Sequence, residues 1–225
     1  MQRMIKTSVV GLVLVAAAGV QAAVVPFTED FTAGSANWKF DPAGLTDSTW
    51  VPAGGPDASA YISQDFNFLN SGSGDTPAFF RAQDDFDSSG DAFVGDWISQ
   101  GVTQFSMWVR HNAPEPVTFF TRFATPGNFP GADAVEFVPV APNTWTLITF
   151  EISAAATNIV YEGPASTFES VFGDVGNVQI GAFVSDTMAG IDQTYTFDLD
   201  QASIVPEPAT LSLMGLVLLG FLRRR

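Results

Sequence analysis

The stretch VTQFSMWVRHNAPEPVTFFTRF, residues 102–123, decides the fold class. In residues 102–110 apolar side chains alternate with polar or amphipathic ones. In residues 117–123 a strand would place Val117, Phe119, Thr121 and Phe123 on one face, and Thr118, Phe120 and Arg122 on the other. A period of two is typical of a strand with one buried face. Pro114 and Pro116 lie between the two runs, so the pattern predicts a hairpin of two antiparallel strands.

Working outward, short runs of the same kind recur between clusters of Gly, Pro, Asn and Asp, and helical periodicity is scarce. Further strands are expected at residues 27–31, 38–40, 61–69, 78–82, 135–138, 145–152, 178–184 and 195–204. Residues 41–57 read as an irregular loop. Residues 153–176 break the pattern, with a short helix capped by Ser166. The fold class is therefore all-β: a single jelly-roll or β-sandwich domain, whose last strand is expected at a surface edge.

The composition fits one domain with an aromatic core. The chain has no cysteine, so disulfides contribute nothing, and all 21 phenylalanines except Phe221 precede residue 205. Roughly 180 residues between the two termini are enough to bury such a core.

The charge balance argues against nucleic-acid partners. Residues 23–205 hold 23 acidic side chains, the chain's 24 less Glu207, and four basic ones, which gives a net charge of about −19. Such a surface repels nucleic acid and anionic lipid, attracts cations and suits solubility outside the cell.

The N-terminus has the features of a signal peptide. Arg3 and Lys6 precede an apolar run at residues 9–20, and Val20 and Ala22 place small side chains where a signal peptidase reads them. Residues 1–22 are therefore expected to form a signal helix removed after Ala22, with the exported domain at residues 23–204.

The last 21 residues, VPEPATLSLMGLVLLGFLRRR, form a second targeting segment at 205–225. Pro206 and Pro208 flank Glu207 and separate the domain from a 14-residue apolar run, which is shorter than the about 20 residues of a full span. Arginines follow the run and are expected to stay cytoplasmic, with the domain on the far side of the membrane. They are Arg223, Arg224 and Arg225.

Pro-Glu-Pro, a short apolar helix and a basic end resemble the PEP-CTERM sorting signal of exopolysaccharide-producing Gram-negative bacteria. The resemblance implies an exosortase-type membrane protease as partner, cleavage near the motif, and transient anchoring in the inner membrane before display at the cell surface or release. A plain C-terminal membrane anchor is the alternative.

A second resemblance covers the exported domain. FTEDFTAGSANW, NTWTLITFEIS, NVQIGAF and YTFDLDQASIV are similar to the framework of galactose-binding-like jelly rolls, the fold of many carbohydrate-binding modules. By this resemblance a structural Ca²⁺ would lie between the first and last strands, with Glu29 or Asp30 pairing with Asp200, or with Asp198. Gln201 and Thr32 depart from the pattern of that site.

A separate calcium interpretation concerns DFDSSGDAFVGD, residues 85–96. Asp85, Asp87 and Ser89 have the spacing of an EF-hand-like loop, but residue 12 of the loop is Asp96 rather than Glu and flanking helices are not expected. An acidic surface turn is the favoured interpretation.

Combinations of side chains typical of an enzyme active site are scarce in this sequence. Without cysteine, and with His111 as the single histidine, cysteine catalysis and multi-histidine metal sites are excluded. His111 precedes Asn112 and Pro114 and is expected in a solvated loop. Glu136 and Glu151 lie in expected strands but are isolated, so a non-catalytic protein is predicted.

Exposed aromatic rings are what a sugar-binding face needs. Trp108 shares a strand face with Arg110 and could line an open sheet, and Trp50, in a Pro/Gly-rich loop, is expected to be exposed. We therefore expect a non-catalytic protein of the cell surface or biofilm matrix that associates with glycan, such as exopolysaccharide. The alternatives are a purely structural matrix protein and a glycan-active enzyme.

Overall fold

The computed structural model describes residues 23–206. The expected signal helix (1–22) and the apolar C-terminal helix lie outside the described residues. Within the described part, no helix is long and apolar enough to cross a membrane.

Two antiparallel sheets form the domain, as predicted. Sheet 1 has the order β2-β3-β11-β5-β8, with β1 paired to part of β11. Its strands are β1 (Phe27–Glu29), β2 (Thr49–Val51), β3 (Tyr61–Asn67), β5 (Val102–His111), β8 (Thr146–Glu151) and β11 (Thr194–Pro206).

Sheet 2 has the order β4-β10-β6-β7-β9. Its strands are β4 (Ala78–Gln83), β6 (Phe119–Ala124), β7 (Gly131–Val135), β9 (Ile159–Tyr161) and β10 (Asn177–Ala182). The single α-helix among residues 23–206, α1 (Phe168–Phe172), packs on β6 through Phe172, whose ring lies 5.4 Å from that of Phe123.

The core lies between the sheets and is built from the alternating faces that the sequence shows. Phe105, Met107 and Val109 of β5 are fully buried, while the alternate residues Trp108 and Arg110 are only half-buried on the outer face. Because side chains alternate across a strand, every second residue of β5 points into the core. Phenylalanines from both sheets fill this core, and Trp38 and Trp97 are buried in it.

The predicted hairpin of residues 102–123 is wrong. β5 belongs to sheet 1, with β11 and β8 as neighbours, and β6 belongs to sheet 2, between β10 and β7. The Pro-rich segment between them crosses from one sheet to the other. The alternation identified two strands, but it carries no information on which strands pair.

The predicted edge position of the last strand is also wrong. β11 lies in the middle of sheet 1, hydrogen-bonded to β3 on one side and to β5 on the other, with a register shift between Asp200 and Ser203. β11 also continues through Pro206, so the first two residues of the C-terminal segment belong to the folded domain.

Several local predictions need smaller corrections. The irregular loop 41–57 contains β2, and β9 lies in the segment that was expected to break the pattern. The strand expected at 135–138 is instead β7 and ends at Val135. The N-cap of α1 is Thr167, which forms a capping box with Ser170, rather than Ser166.

Candidate functional site

The strand order of sheet 1 brings one row of side chains together on its outer face, the face turned away from sheet 2. Asp198 of β11 lies opposite Ser63 of β3 and opposite Arg110 of β5. Directly opposite residues of antiparallel strands point to the same side, so these three side chains meet. Arg110 Nε donates to Asp198 Oδ2 at 2.7 Å, and Ser63 Oγ donates to Asp198 Oδ1 at 2.7 Å.

Two aromatic rings enclose the guanidinium of Arg110. Its central carbon lies 4.6 Å from the ring centre of Trp145 and 5.2 Å from that of Tyr61. The two rings stand nearly perpendicular, 5.4 Å apart. Arg110 Nη2 also donates to the Tyr61 hydroxyl at 3.1 Å. We call Tyr61, Arg110 and Trp145 the arginine cluster; its cation–π contacts hold both rings in place.

The loop between β2 and β3 completes the cluster. The carbonyl of Gly54 accepts a hydrogen bond from Trp145 Nε1 at 3.0 Å and lies 3.5 Å from Arg110 Nη1. The next residue, Gly55, lets the loop lie close to the sheet, because a Cβ there would stand 2.6 Å from Asp200 Oδ2. Glycine at this position therefore places a backbone acceptor over the aromatic rings.

Beside the cluster lies a polar depression of about 290 Å³. Its lining comprises Tyr61, Ser63, Arg110, His111, Asn112, Asn143, Thr196 and Asp198. Asn112 and Asn143 are exposed. The depression thus offers amide and hydroxyl groups next to aromatic rings, and its volume is near the lower end, about 300 Å³, of ordinary ligand sites.

The ion pair sets the electrostatics of this face. Burial alone would lower the pKa of Arg110, but the hydrogen bond and negative charge of Asp198 outweigh it and raise that pKa. The Arg110 side chain is 27% exposed and that of Asp198 is 8% exposed. The positive charge is therefore balanced within the site, and Arg110 presents a planar polar surface rather than a free cation.

The structure places two of the three residues predicted for ligand binding on the outer face of sheet 1 and the third on the opposite side. Trp108 and Arg110 share the outer face, and Trp108 lies beside Leu147, which is 50% exposed. Trp50 is 40% exposed, as expected, but pairs in register with the inward-facing Ile62. Its Nε1 donates to the carbonyl of Phe31 at 2.7 Å, so Trp50 lies on the opposite side of sheet 1.

Tyr61 and Trp145 were missed as ligand-binding candidates. Trp145 directly precedes β8, and residues 146–152 alternate like any strand, so the local sequence does not distinguish this tryptophan. Tyr61 and Trp145 come together through the strand order β3-β11-β5-β8, and a local sequence pattern does not reveal strand order.

The residues predicted as alternative calcium ligands make different contacts in the structure. Asp198 is held by Arg110, and Glu29 Oε1 accepts a hydrogen bond from the backbone N–H of Phe31 at 2.9 Å. Asp200 accepts from Ser59 Oγ at 2.5 Å, and burial, with a smaller contribution from the charge of nearby Asp30, raises its pKa. Within residues 23–206, no group of three or more His, Asp or Glu side chains has the geometry of a metal site. Calcium binding stays a prediction.

The acidic loop 85–96 forms two short 3-10 helices, Asp84–Phe86 and Ser88–Asp91, with left-handed backbone at Asp87, Ser89 and Asp91. Burial, and then the nearby charges of Asp87 and Asp84, raise the pKa of Asp91. Asp85 and Asp87 are exposed, whereas Ala92 and Phe93 are buried, and the acidic surface turn stays a prediction.

The prediction for His111 is wrong. It is the last residue of β5, is 1% exposed and faces inward, with its ring near those of Phe119 and Phe197. Nε2 donates to the carbonyl of Val140 at 2.9 Å, and Nδ1 has no partner among the described residues. Burial lowers the pKa of His111, so it serves as a neutral core residue.

A second polar cluster on the outer face of sheet 2 was not predicted. Arg122 Nη2 donates to Glu162 at 2.9 Å, and Asp133 lies opposite Arg122 in register. Burial, and then the charge of Glu162, raise the pKa of Asp133 to about 6, although Arg122 acts against this. Asp133 and Glu162 lie on different strands or loops, so their proximity depends on the pairing of β7 with β9.

The first sorting residue is part of the sheet. Pro206 pairs with Val102 at the start of β5. The other predicted processing residues, Glu207, Pro208, Arg223, Arg224 and Arg225, lie outside the described residues.

Comparison with known proteins identifies this C-terminal segment. Residues 205–225 match the family model of the PEP-CTERM protein-sorting motif. The chain carries a PEP-CTERM motif. The motif implies export and sorting toward the cell surface, as its sequence features predicted. No curated protein matches the chain as a whole.

Solved structures with a similar fold include glycan-active and glycan-binding proteins. An exo-β-agarase matches with a TM-score of 0.52 at 7% identity, over 82% of this chain and 26% of that one. The CBM22-1–GH10 modules of Clostridium thermocellum xylanase 10B match at 0.48 and 15% identity, over 82% and 29%. The chain thus spans under a third of either protein.

The family 11 carbohydrate-binding module of the Clostridium thermocellum cellulase Lic26A-Cel5E matches at 0.46 and 11% identity, over 82% of this chain and 96% of that one. The match to the exo-β-agarase, with its TM-score above 0.5, shows similarity of fold alone, that of a two-sheet β-sandwich.

Proposed function

We propose that this protein is a non-catalytic, glycan-associated protein of the cell surface or extracellular matrix, processed at its PEP-CTERM motif by an exosortase-type membrane protease. The arginine cluster is the observation that carries the glycan-binding part of the proposal. Tyr61 and Trp145 supply apolar ring faces, and the polar depression beside them supplies amide and hydroxyl groups. A sugar ring has the matching surfaces: C–H groups that pack on aromatic rings and hydroxyls that need hydrogen-bond partners.

The charges favour a neutral glycan. Asp198 balances the charge of Arg110, and the exported domain has a net charge of about −19. A polyanionic glycan would be repelled by the domain without gaining a free cation at the site. We therefore assign the site to a neutral, hydroxyl-rich segment of exopolysaccharide.

The carboxylates of this face support a binding role over a catalytic one. A glycosidase needs two carboxyl groups that flank the scissile bond, one of them free to donate a proton. On this face Asp198 is ion-paired with Arg110, and Asp200 is fully buried beneath the loop that carries Gly54. Asp198 is the one carboxylate among the described residues that line the depression. Asp65 is exposed at its margin, where it accepts a hydrogen bond from Thr196 Oγ1 at 2.7 Å.

Binding of the host's exopolysaccharide to the purified protein tests the proposal. Calorimetric titration should give saturable binding, weakened about tenfold or more by Trp145→Ala, because truncating an aromatic anchor typically costs about 2 kcal/mol. Val160→Ala is the matched control, since Val160 is 57% exposed on sheet 2, away from the site.

Equal affinities of the wild type and Trp145→Ala would exclude the arginine cluster as the glycan site. Absence of binding to neutral and acidic polysaccharides alike would favour the purely structural matrix protein.

A further inference from the structure

The end of sheet 1 at which the chain leaves the domain carries an open groove of about 490 Å³. β11 ends here, β5 begins here, and Ile152 N donates to the carbonyl of Thr103 at 2.9 Å, just after β8. The walls are formed mainly by Ile98, Val102, Ile152, Phe168 and Pro206. Pro206, the first proline of the sorting motif, is therefore also a wall of the groove.

The groove differs in charge from the rest of the domain. None of its nine lining residues is charged. A carboxylate next to them is that of Glu151, which accepts a hydrogen bond from Ser153 Oγ at 2.6 Å. Elsewhere the exported domain holds 23 acidic residues. Ile98 is 41% exposed at the groove. An uncharged, apolar concavity in so acidic a domain is a surface suited to a partner rather than to water.

The position of Pro206 brings a partner to this groove. Pro206 still pairs with Val102, so no free linker separates the folded domain from the motif. The apolar run begins at Ala209, three residues later, and three extended residues reach at most about 10 Å. An enzyme that acts on Glu207 or Pro208 must therefore touch this end of the domain while it works at the membrane.

We infer that the groove lined by Ile98, Phe168 and Pro206 is a docking surface for the membrane-embedded protease that processes the sorting motif. An apolar, protruding segment of that protease fills the groove when the motif enters its active site. The enzyme thus recognises the end of the folded domain together with the motif. A domain with acidic side chains at this place would dock poorly, because its carboxylates would have to lose their water at the contact. The inference rests on the processing proposed above.

Processing of the full-length chain in its host tests the inference. Intact-mass spectrometry of pulse-labelled protein follows loss of the C-terminal Arg tail. Ile98→Glu should slow this loss about tenfold, because a carboxylate must be desolvated at the contact. Ala154→Glu, on an exposed part of the groove, should act in the same direction. Leu69→Glu is the matched control: Leu69 is 48% exposed, beyond the far end of β3.

The outcomes separate the possible explanations. Equal rates for wild type, Ile98→Glu and Ala154→Glu would overturn the inference while leaving processing intact, as would equal slowing by Leu69→Glu. A wild-type chain that keeps its Arg tail would instead overturn the proposed processing. Ile98→Lys distinguishes a protein partner from lipid: docking to a protein groove predicts slow processing, whereas contact with an anionic membrane predicts unchanged or faster processing, which would contradict the inference.

Discussion

Single residues show how one ion pair organises the candidate site. Arg110 links Asp198, Tyr61, Trp145 and the Gly54 carbonyl, so two strands, one loop and the residue preceding β8 meet at one guanidinium. The planar guanidinium can donate in several directions while its faces pack on aromatic rings, which an ammonium cannot do. The sequence predicted that Trp108 and Arg110 share a face, because that depends only on strand period. It could not predict Tyr61 as a partner, because that depends on strand order.

The free energy of unfolding should depend on pH through Asp200. Burial, and after it the charges of Asp30 and Asp57, raise its pKa to about 6, although hydrogen bonds from Ser59 and Gln201 favour the carboxylate. In the unfolded chain the pKa of an aspartate is about 3.9. Between these values the native state holds a proton that the unfolded state has lost. The contribution of Asp200 to stability is therefore greatest at low pH, falls as pH rises through this window, and is constant above it.

Asp200→Asn should remove this effect because the amide keeps the shape of the side chain without its titration. Its oxygen can still accept from Gln201 N, and its NH2 group can donate to Ser59 Oγ, which reverses the direction of that hydrogen bond. We expect the variant to be more stable than the wild type at pH 7.5, by about 1–2 kcal/mol, and the difference to shrink toward pH 4. Urea unfolding from pH 4 to pH 8 measures the free energies. A difference that stays constant across this range would contradict the assignment.

At the scale of elements, β11 connects the domain. It pairs with β3, β5 and β1, and it carries Phe197, Asp198 and Asp200. Sequence reasoning gave β11 close to its true length but put it at an edge, since the chain leaves the domain there. Strand order in a sandwich is decided by packing between distant segments, which local periodicity does not report. The same reason explains the wrong hairpin of β5 with β6, whereas the buried faces of both strands were predicted correctly.

The core contribution of β11 is testable through Phe197. Its ring stacks on Phe79 of sheet 2 at 4.2 Å and is fully buried. Phe197→Ala should lower the free energy of unfolding by about 3–5 kcal/mol, because the cavity lies where the two sheets meet. Leu147→Ala on the edge strand β8, where Leu147 is 50% exposed, should change it by less than about 1 kcal/mol. Similar losses for the two variants in denaturant unfolding would contradict the central placement of β11.

The whole molecule combines a sorting motif with an acidic β-sandwich. Sequence alone gave the motif, because its order of prolines, apolar run and arginines is local, and it gave the all-β class from alternation. It could not give the arginine cluster or the groove at Pro206, because each is assembled from segments far apart in the chain. The two surfaces lie toward opposite ends of β5, near Arg110 and near Val102. The proposed glycan site therefore lies away from the end that carries the sorting motif.

The central claim is that this face of sheet 1 binds glycan, and the tryptophan indole N–H signals in NMR test it most directly. Trp38 and Trp97 are buried in the core, Trp50 lies on the opposite side of sheet 1, and Trp145 belongs to the arginine cluster. On titration of the mature protein with oligosaccharides of the host's neutral exopolysaccharide, the account predicts a saturable shift of the Trp145 signal, with Trp38 and Trp97 unchanged. A Trp145 signal that does not move when binding is saturated, or a shift confined to Trp50, would contradict it.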